Sequence, residues 1–76
     1  MSSLLTQAYL LEKYGPRLNT EQLASVLGIT KPAVYNQLSA GTFPINTYKD
    51  AGKTWADYRD VAIYLDRCRE RARTVA

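Results

Sequence analysis

Residues 18–38 read LNTEQLASVLGITKPAVYNQL, a pattern of two short helices joined by a tight turn. Asn19 and Gln22 have the spacing of a capping box, in which each side chain bonds the other residue's backbone N–H at the start of a helix. Gly28 follows the apolar run of that helix, at a place where a left-handed residue ends a helix without steric cost. The first helix of the pair is therefore expected between Asn19 and Gly28.

The second helix of the pair follows after two residues. Thr30 can cap it, and its first turn tolerates Pro32, because an N–H at that position has no intrahelical partner. Val34 and Leu38 lie four residues apart and form its buried stripe. A turn this short makes the helices cross steeply and leaves the outer face of the second helix exposed. The pattern thus predicts a helix-turn-helix over residues 19–40, whose second helix can enter a DNA major groove.

An amphipathic helix is predicted before this unit, over residues 3–14. Leu4, Ala8 and Leu11 fall on one face, which we expect to pack across the back of the helix-turn-helix as a stabilising lid. Gly15-Pro16 stops the helix, because glycine suits the C-terminal turn and proline cannot continue it. A dimer contact through the apolar face is the alternative role of this helix.

A small hairpin and a final helix are predicted after the unit. Two β-prone runs within residues 45–56 flank a loop over residues 49–52, and Trp55 can cover the helical core. Such a ribbon is marginal alone, so it must pack on the helices. A helix over residues 57–72 begins at a capping residue, Asp57. Its expected inward stripe consists of Tyr58, Val61, Leu65, Cys68 and Ala72.

These elements predict one domain over residues 1–76 that is mainly α with a small β-hairpin. The expected architecture is a winged helix-turn-helix with about four helices and a two-stranded wing. The hydrophobic content of 46% argues against disorder throughout. The N-terminal stretch lacks a basic region before its apolar residues, and no apolar run is long enough to span a bilayer. A cytoplasmic protein without a membrane contact is expected.

The residue types needed for metal binding and catalysis are scarce. The chain has no histidine and one cysteine, Cys68, which excludes an internal disulfide and a tetrahedral zinc site of the usual ligands. It also has no glycine-rich phosphate loop. Asp57 and Asp60 are explained by the first turn of a helix, where negative charge is favoured. No cofactor and no enzymatic activity are therefore expected.

Positive charge and amide side chains gather at and after the second helix of the pair. The formal net charge is +3, and residues 31–59 carry four basic and two acidic side chains. Asn36 and Gln37 can bond an adenine edge in two places, and Lys31 can reach a phosphate. Lys49 and Lys53 flank the hairpin, where solubilising charge is the alternative explanation. The predicted DNA-contacting residues are Thr30, Lys31, Pro32, Ala33, Tyr35, Asn36, Gln37, Lys49 and Lys53, with the edge of the core as the alternative place for Tyr35.

A series of short segments within residues 18–66 follows a known pattern. The segments are Asn19-Thr20-Glu21-Gln22-Leu23-Ala24, Leu27-Gly28-Ile29-Thr30, Ala33-Val34-Tyr35, Gly41-Thr42-Phe43-Pro44, Gly52-Lys53, Trp55 and Asp60-Val61. This series resembles small AlpA-type and excisionase-type regulators, which are winged helix-turn-helix proteins of the broad MerR-like class. The part LA..LGIT..AVY is typical of a DNA-binding helix-turn-helix, and Phe43-Pro44 with the later tryptophan points to this subgroup.

The resemblance implies double-stranded DNA as the partner, in phages, prophages and plasmids. Members of the family act as transcriptional switches, or as directionality factors that bend DNA for a recombinase. By the same resemblance, the base-reading helix carries Lys31, Ala33, Tyr35 and Asn36, and residues 49–53 belong to the wing.

Three functions follow from these observations. The first is a sequence-specific DNA-binding regulator that acts as a homodimer or a cooperative array, because one 76-residue module contacts a limited stretch of DNA. The alternative is an excisionase, which has the same fold but bends DNA on tandem sites. The third is a protein-interaction adaptor, because a fold does not determine a function.

Overall fold

A computed structural model describes residues 3–75 of the chain, with side chains through residue 73. This part of the chain contains four helices and a small antiparallel sheet. In chain order the elements are α1 (Leu4–Tyr14), β1 (Arg17–Leu18), α2 (Thr20–Leu27), α3 (Lys31–Ala40), β2 (Tyr48–Asp50), β3 (Lys53–Asp57) and α4 (Tyr58–Val75). The expectation of a mainly helical chain with a small β element is confirmed.

The central helix pair is bounded by the expected caps. Asn19 Oδ1 accepts a hydrogen bond from the Gln22 N–H at 2.8 Å, and Gln22 Oε1 accepts one from the Asn19 N–H at 2.9 Å. Gly28 ends α2 in the left-handed conformation, at φ 70°. Thr30 Oγ1 then accepts from the Ala33 N–H at 3.2 Å and begins α3. Because local sequence supplies each of these bonds, the two helices form where they were predicted.

The predicted two-stranded hairpin forms from β2 and β3, but a third strand that was not predicted, β1, joins it in one sheet. β1 pairs antiparallel with β3, with Arg17 opposite Asp57 and Leu18 opposite Ala56, and the strand order is β1-β3-β2. The chain leaving α1 runs beside β3 and satisfies the backbone groups of an edge that would otherwise be open. A strand of two residues has no periodicity of its own, and sequence patterns therefore give no sign of it.

The hairpin is tighter and begins later than predicted. Asp50 pairs with Lys53, which leaves Ala51 and Gly52 as a two-residue turn in place of the four-residue loop. Both turn residues have positive φ, 53° and 78°, as a type I′ turn requires. Ile45 was assigned to the first strand, but it precedes β2 and is buried in the core.

A single hydrophobic cluster joins the helices to the sheet. Its buried members come from α1, β1, α2, the segment before β2, β3 and α4. They are Leu10, Leu18, Leu23, Ile45, Ala56, Val61 and Ala62. Every element except α3 and β2 contributes at least one residue, so the hairpin is held on the helices through β3.

The inward stripe of α4 is only partly as predicted. Val61 is fully buried, and Tyr58 and Leu65 pack against the cluster while remaining partly exposed. Cys68 is half-buried, and Ala72 is exposed. The helix continues to Val75, and residues 69–73 in its last turns are exposed.

The buried face of α1 is not the predicted one. Leu10 is fully buried, whereas Leu4 and Leu11 are 80% and 44% exposed and Ala8 is exposed. The helix packs mainly on α4 and β1, not on the back of the α2–α3 pair. Asp66 of α4 helps to hold this orientation, because its carboxylate accepts from the Thr6 hydroxyl at 3.2 Å and from the Ser3 N–H.

Candidate nucleic-acid interface

One face of α3 is held in the protein and the opposite face meets solvent. Val34 is fully buried and anchors the helix, which packs chiefly on α2. At 100° per residue, Pro32 and Asn36 point away from Val34. Both are exposed, as is Ala40 one turn later. These three residues form a ridge on the outer face of α3, which we call the α3 ridge.

The remaining candidates on α3 lie beside this ridge. Ala33 and Gln37 are half-buried on one flank, so Ala33 is less accessible than a position on the ridge itself. Leu38, assigned to the buried stripe, is also only half-buried. The α3 ridge is therefore narrower than the sequence indicated, and Asn36 stands at its centre.

A shallow cleft separates α3 from the β2–β3 hairpin. Its volume is about 340 Å³, and three lysine side chains line it against one glutamate. The lining residues are Asn19, Thr20, Glu21, Lys31, Tyr35, Lys49, Gly52, Lys53 and Thr54. One surface next to the α3 ridge thus carries three of the predicted phosphate contacts, Lys31, Lys49 and Lys53. In sequence they are up to 22 residues apart.

Tyr35 divides this cleft from a second depression along the same helix. Leu38, Ser39 and Thr47 line that second depression together with the hairpin. The Tyr35 hydroxyl lies 3.2 Å from Thr20 Oγ1, within hydrogen-bond distance, and the residue is 48% exposed. Tyr35 therefore links α3 to the start of α2 and still presents half of its surface to solvent.

The N-terminus of α3 offers fewer free donors than a typical helix start. Pro32 has no N–H, the Ala33 N–H is bonded to Thr30 Oγ1, and the Val34 N–H is bonded to the Thr30 carbonyl. An anion at the first turn of α3 can therefore be bound chiefly by the Lys31 N–H and by the Lys31 side chain. The Thr30 hydroxyl, which accepts within the cap, keeps its own proton to donate.

The hairpin lysines occupy two different places on the sheet. Lys49 belongs to β2 and pairs with Thr54, and Lys53 begins β3 opposite Asp50 next to the turn. Both side chains are exposed. Only Lys53 is therefore near the hairpin tip, while Lys49 projects from the body of the strand.

Arg17 fixes the position of the hairpin, and sequence reasoning missed this role. Its guanidinium carbon lies 3.9 Å from the centroid of the Trp55 ring, and its Nη1 donates to Asp50 Oδ2 at 2.7 Å. The Trp55 indole nitrogen is buried without a hydrogen-bond acceptor in the described structure, so packing and Arg17 hold the ring. Asp50 is 33 residues from Arg17. No local sequence signal identifies such a pair.

Two other classes of site are not found in the part of the chain that the structure describes. No group of three or more His, Cys, Asp or Glu side chains is placed to hold a metal ion. None of the helices within residues 3–75 has both the length and the apolar character that crossing a membrane requires. The α3 ridge and the lysine-lined cleft remain the most distinctive polar surface.

No protein-family model matches the chain, and neither a curated protein nor a solved structure shows significant similarity to it. The functional argument therefore depends on the geometry of α3 and the hairpin.

Proposed function

We propose that this chain is a sequence-specific double-stranded DNA-binding protein with a winged helix-turn-helix architecture. One observation carries the proposal: the exposed α3 ridge and the three-lysine cleft lie side by side, with the hairpin on the far side of the cleft. A protruding helix flanked by basic side chains matches a major groove bordered by phosphates. The chain is proposed to act as a binding protein and not as an enzyme.

Base recognition is assigned to the outer face of α3. Asn36 is exposed at the centre of the ridge, and its amide can donate to and accept from one adenine edge. Gln37 and Ala33, on the half-buried flank, are assigned contacts at the edge of the same groove. Pro32 has an apolar ring and no N–H, so it is assigned van der Waals contact and no hydrogen bond.

Phosphate contacts are assigned to the cleft and the hairpin. Lys31 and Thr30 lie at the N-terminus of α3, where the helix dipole also favours an anion. Tyr35 can donate its hydroxyl proton to a phosphate in place of its bond to Thr20. Lys49 and Lys53 meet the adjacent backbone, which makes the hairpin the wing of the fold.

We assign the protein to the small AlpA-type and excisionase-type regulators of phages, prophages and plasmids, with transcriptional regulation as its role. An excisionase bends DNA on tandem sites for a recombinase, whereas a transcriptional regulator can act on bent or on straight DNA. Circular-permutation electrophoresis on the bound site therefore tests the excisionase role. Migration that does not depend on the position of the site, as expected for straight DNA, would count against the excisionase.

The experiment that tests DNA binding begins with selection of a preferred site from a pool of random duplexes. Fluorescence anisotropy then measures affinity for that site and for a scrambled duplex over a range of salt concentrations. We expect nanomolar-range binding to the selected site and binding to scrambled DNA that is weaker by about 10³-fold or more. Equal affinity for all duplexes, or no binding at low salt, would overturn the proposal.

Two variants then separate reading of bases from attraction to phosphate. Asn36→Ala should reduce discrimination at one base pair by roughly 5- to 150-fold, the range expected when a two-bond contact to a base is lost. Lys31→Ala should weaken binding to every sequence alike and reduce the salt slope by about 1. The matched control is Lys13→Ala, which removes the same charge from α1, an element that packs on α4 and β1. An unchanged preferred sequence in Asn36→Ala would show that another face reads the DNA.

A further inference from the structure

The formal charge of the chain is concentrated near the end of α4. Residues 1–66 carry six basic and six acidic side chains, so their formal charge is zero. Residues 67–73 carry four arginines and one glutamate, which accounts for the whole formal net charge of +3. These residues belong to the last turns of α4, and all four arginines are exposed. Such a cluster favours a polyanion as its partner.

The four arginines form two pairs on different sides of α4. Arg67 and Arg71 are one helical turn apart and lie on the same side. Arg69 and Arg73 lie roughly 120–160° around the helix from them, on the side of Asp66. Because Asp66 bonds α1, this second pair borders α1. The first pair belongs to a different surface.

Arg67 and Arg71 line a groove between α4 and the segment that follows α3. Its volume is about 390 Å³, and its lining residues are Pro44, Tyr64, Arg67, Glu70 and Arg71. We call it the α4 groove. Two guanidiniums and one carboxylate leave the groove with positive charge. Arg71 Nη2 donates to Cys68 Sγ at 3.4 Å, which holds this guanidinium against its own helix.

The α4 groove continues the surface that is proposed to bind DNA. The lysine-lined cleft includes Lys31 at the start of α3, and the second depression reaches Leu38 and Ser39 near its end. After α3, the chain passes from Pro44, which lines the α4 groove, to Thr47, which lines the second depression. Three residue steps span at most about 11 Å. The three hollows therefore follow one another from the start of α3 to α4.

We propose that Arg67 and Arg71 bind phosphates of the DNA that flanks the sequence read by α3, an inference that rests on the proposed DNA binding. A duplex carries one negative charge about every 1.7 Å along its axis, so backbone phosphates continue beyond the bases that α3 contacts. The two arginines are about 6 Å apart along α4 and can reach neighbouring phosphates of one strand. A guanidinium can donate two parallel hydrogen bonds to a phosphate. This contact adds affinity but reads no bases.

The first test compares the two arginine pairs on the selected site, extended at each end by about 10 base pairs, one turn of DNA. Arg67→Ala/Arg71→Ala should keep the preferred sequence and reduce the salt slope by about 1.8, the value expected for two lost phosphate contacts. The matched control is Arg69→Ala/Arg73→Ala, which removes the same charge from the side of α4 that borders α1 and should change the slope little. Equal slopes for the two double variants would overturn the inference.

A second comparison tests whether the contact lies outside the sequence that α3 reads. The selected site is trimmed to the shortest duplex that keeps the sequence preference. On this duplex Arg67→Ala/Arg71→Ala should have the same salt slope as the wild type, and the difference should return when the flanks are restored. A difference of equal size on both duplexes would overturn the assignment to flanking DNA.

A charge-keeping variant separates phosphate binding from an effect on the fold. Arg67→Lys/Arg71→Lys should keep the wild-type salt slope on the extended duplex, because both positive charges remain. A slope as low as that of the alanine variant would overturn the inference. Absence of DNA binding by the wild type would instead overturn the proposed function. Wild-type binding with a slope that does not depend on Arg67 and Arg71 would overturn this inference alone.

Discussion

The guanidinium of Arg17 stacks on the Trp55 ring, 3.9 Å from guanidinium carbon to ring centroid, and so joins β1 to the central strand β3. The same guanidinium donates to Asp50 on β2 at 2.7 Å, and this bond raises the pKa of Arg17. One side chain therefore spans all three strands. It ties the hairpin to the segment that follows α1, and the hairpin in turn forms one wall of the lysine-lined cleft.

Removing Arg17 should loosen the hairpin. We expect Arg17→Ala to lower the midpoint of urea unfolding, and Arg17→Lys to lie between it and the wild type, because lysine keeps the charge but loses the planar stacking. Trp55, the chain's one tryptophan, supplies the fluorescence signal. The control is Arg69→Ala, which removes the same charge from an exposed position of α4. Equal midpoints for Arg17→Ala and Arg69→Ala would contradict the role of Arg17.

The turn of the hairpin contains a residue with a strained backbone conformation, and a substitution can relieve this strain. Ala51 has a φ of 53°, a left-handed conformation that costs a residue with a Cβ about 1 kcal/mol. Ala51→Asn should stabilise the protein by about 0.5–1 kcal/mol, since Asn-Gly is the preferred type I′ pair. Gly52→Ala should do the opposite, although a Cβ at Gly52 would meet no atom within 4 Å, because its φ is 78°. Thermal unfolding of the two variants should therefore shift in opposite directions.

The two faces of α1 should respond very differently to truncation. Leu10→Ala should cost about 2–5 kcal/mol, since it leaves a cavity in the core where Leu10 is fully buried. Leu5→Ala should change the free energy of unfolding little, because Leu5 is 83% exposed. Urea unfolding at micromolar concentration checks both variants. A large loss in Leu5→Ala would mean that the helix is rotated relative to the structure described.

The error in α1 shows where sequence patterns stop being informative. Most residues of this helix are apolar and they surround its axis, so a helical period does not select one buried face. The face is selected by tertiary contacts, such as the bond between Thr6 and Asp66, which are 60 residues apart. Short strands such as β1 are missed for the same reason: their pairing is set by a distant partner.

The helix pair was predicted well because its signals are local. The capping bond between Asn19 and Gln22, the left-handed Gly28 and the cap at Thr30 each involve residues within a few positions of one another. The exposure of Asn36 followed from the burial of Val34 and the helical period. The role of Arg17 did not follow, since Trp55 and Asp50 lie more than 30 residues away in sequence.

Asp57 should make part of the protein's stability depend on pH. Its Oδ1 accepts from the Arg59 N–H at 2.8 Å at the start of α4, and its bond with the Arg59 side chain lowers the pKa of the carboxyl below the ordinary 3.8. A carboxyl whose pKa is lower in the folded state than in the unfolded state stabilises the fold, and the full effect is present at pH values above the unfolded-state pKa. The stabilisation is lost as the pH falls through the folded-state pKa, below which the carboxyl is protonated in both states.

Asp57→Asn tests this effect because asparagine also caps helices but does not titrate. Above pH 5 the variant should be less stable than the wild type, and the difference should shrink towards zero as the pH falls below 3.8. Asp57→Ala, which also loses the cap, should cost about 1 kcal/mol near neutral pH. Thermal unfolding from pH 2 to pH 7 gives both comparisons. A difference that does not change with pH would rule out the titration of Asp57 as its cause.

The lysines of the hairpin should contribute phosphate contacts to DNA binding and no base recognition. Lys49 and Lys53 both line the cleft beside α3, and neither is placed on the α3 ridge. The double variant Lys49→Ala/Lys53→Ala should keep the preferred DNA sequence and reduce the salt slope by about 1.8, the value expected for two lost phosphate contacts. The control Lys13→Ala/Arg69→Ala removes the same charge from the exposed surfaces of α1 and α4. Anisotropy titrations at several salt concentrations measure each slope. If the two double variants have the same slope, the lysines of the hairpin act only through net charge and the hairpin is not a wing on the DNA.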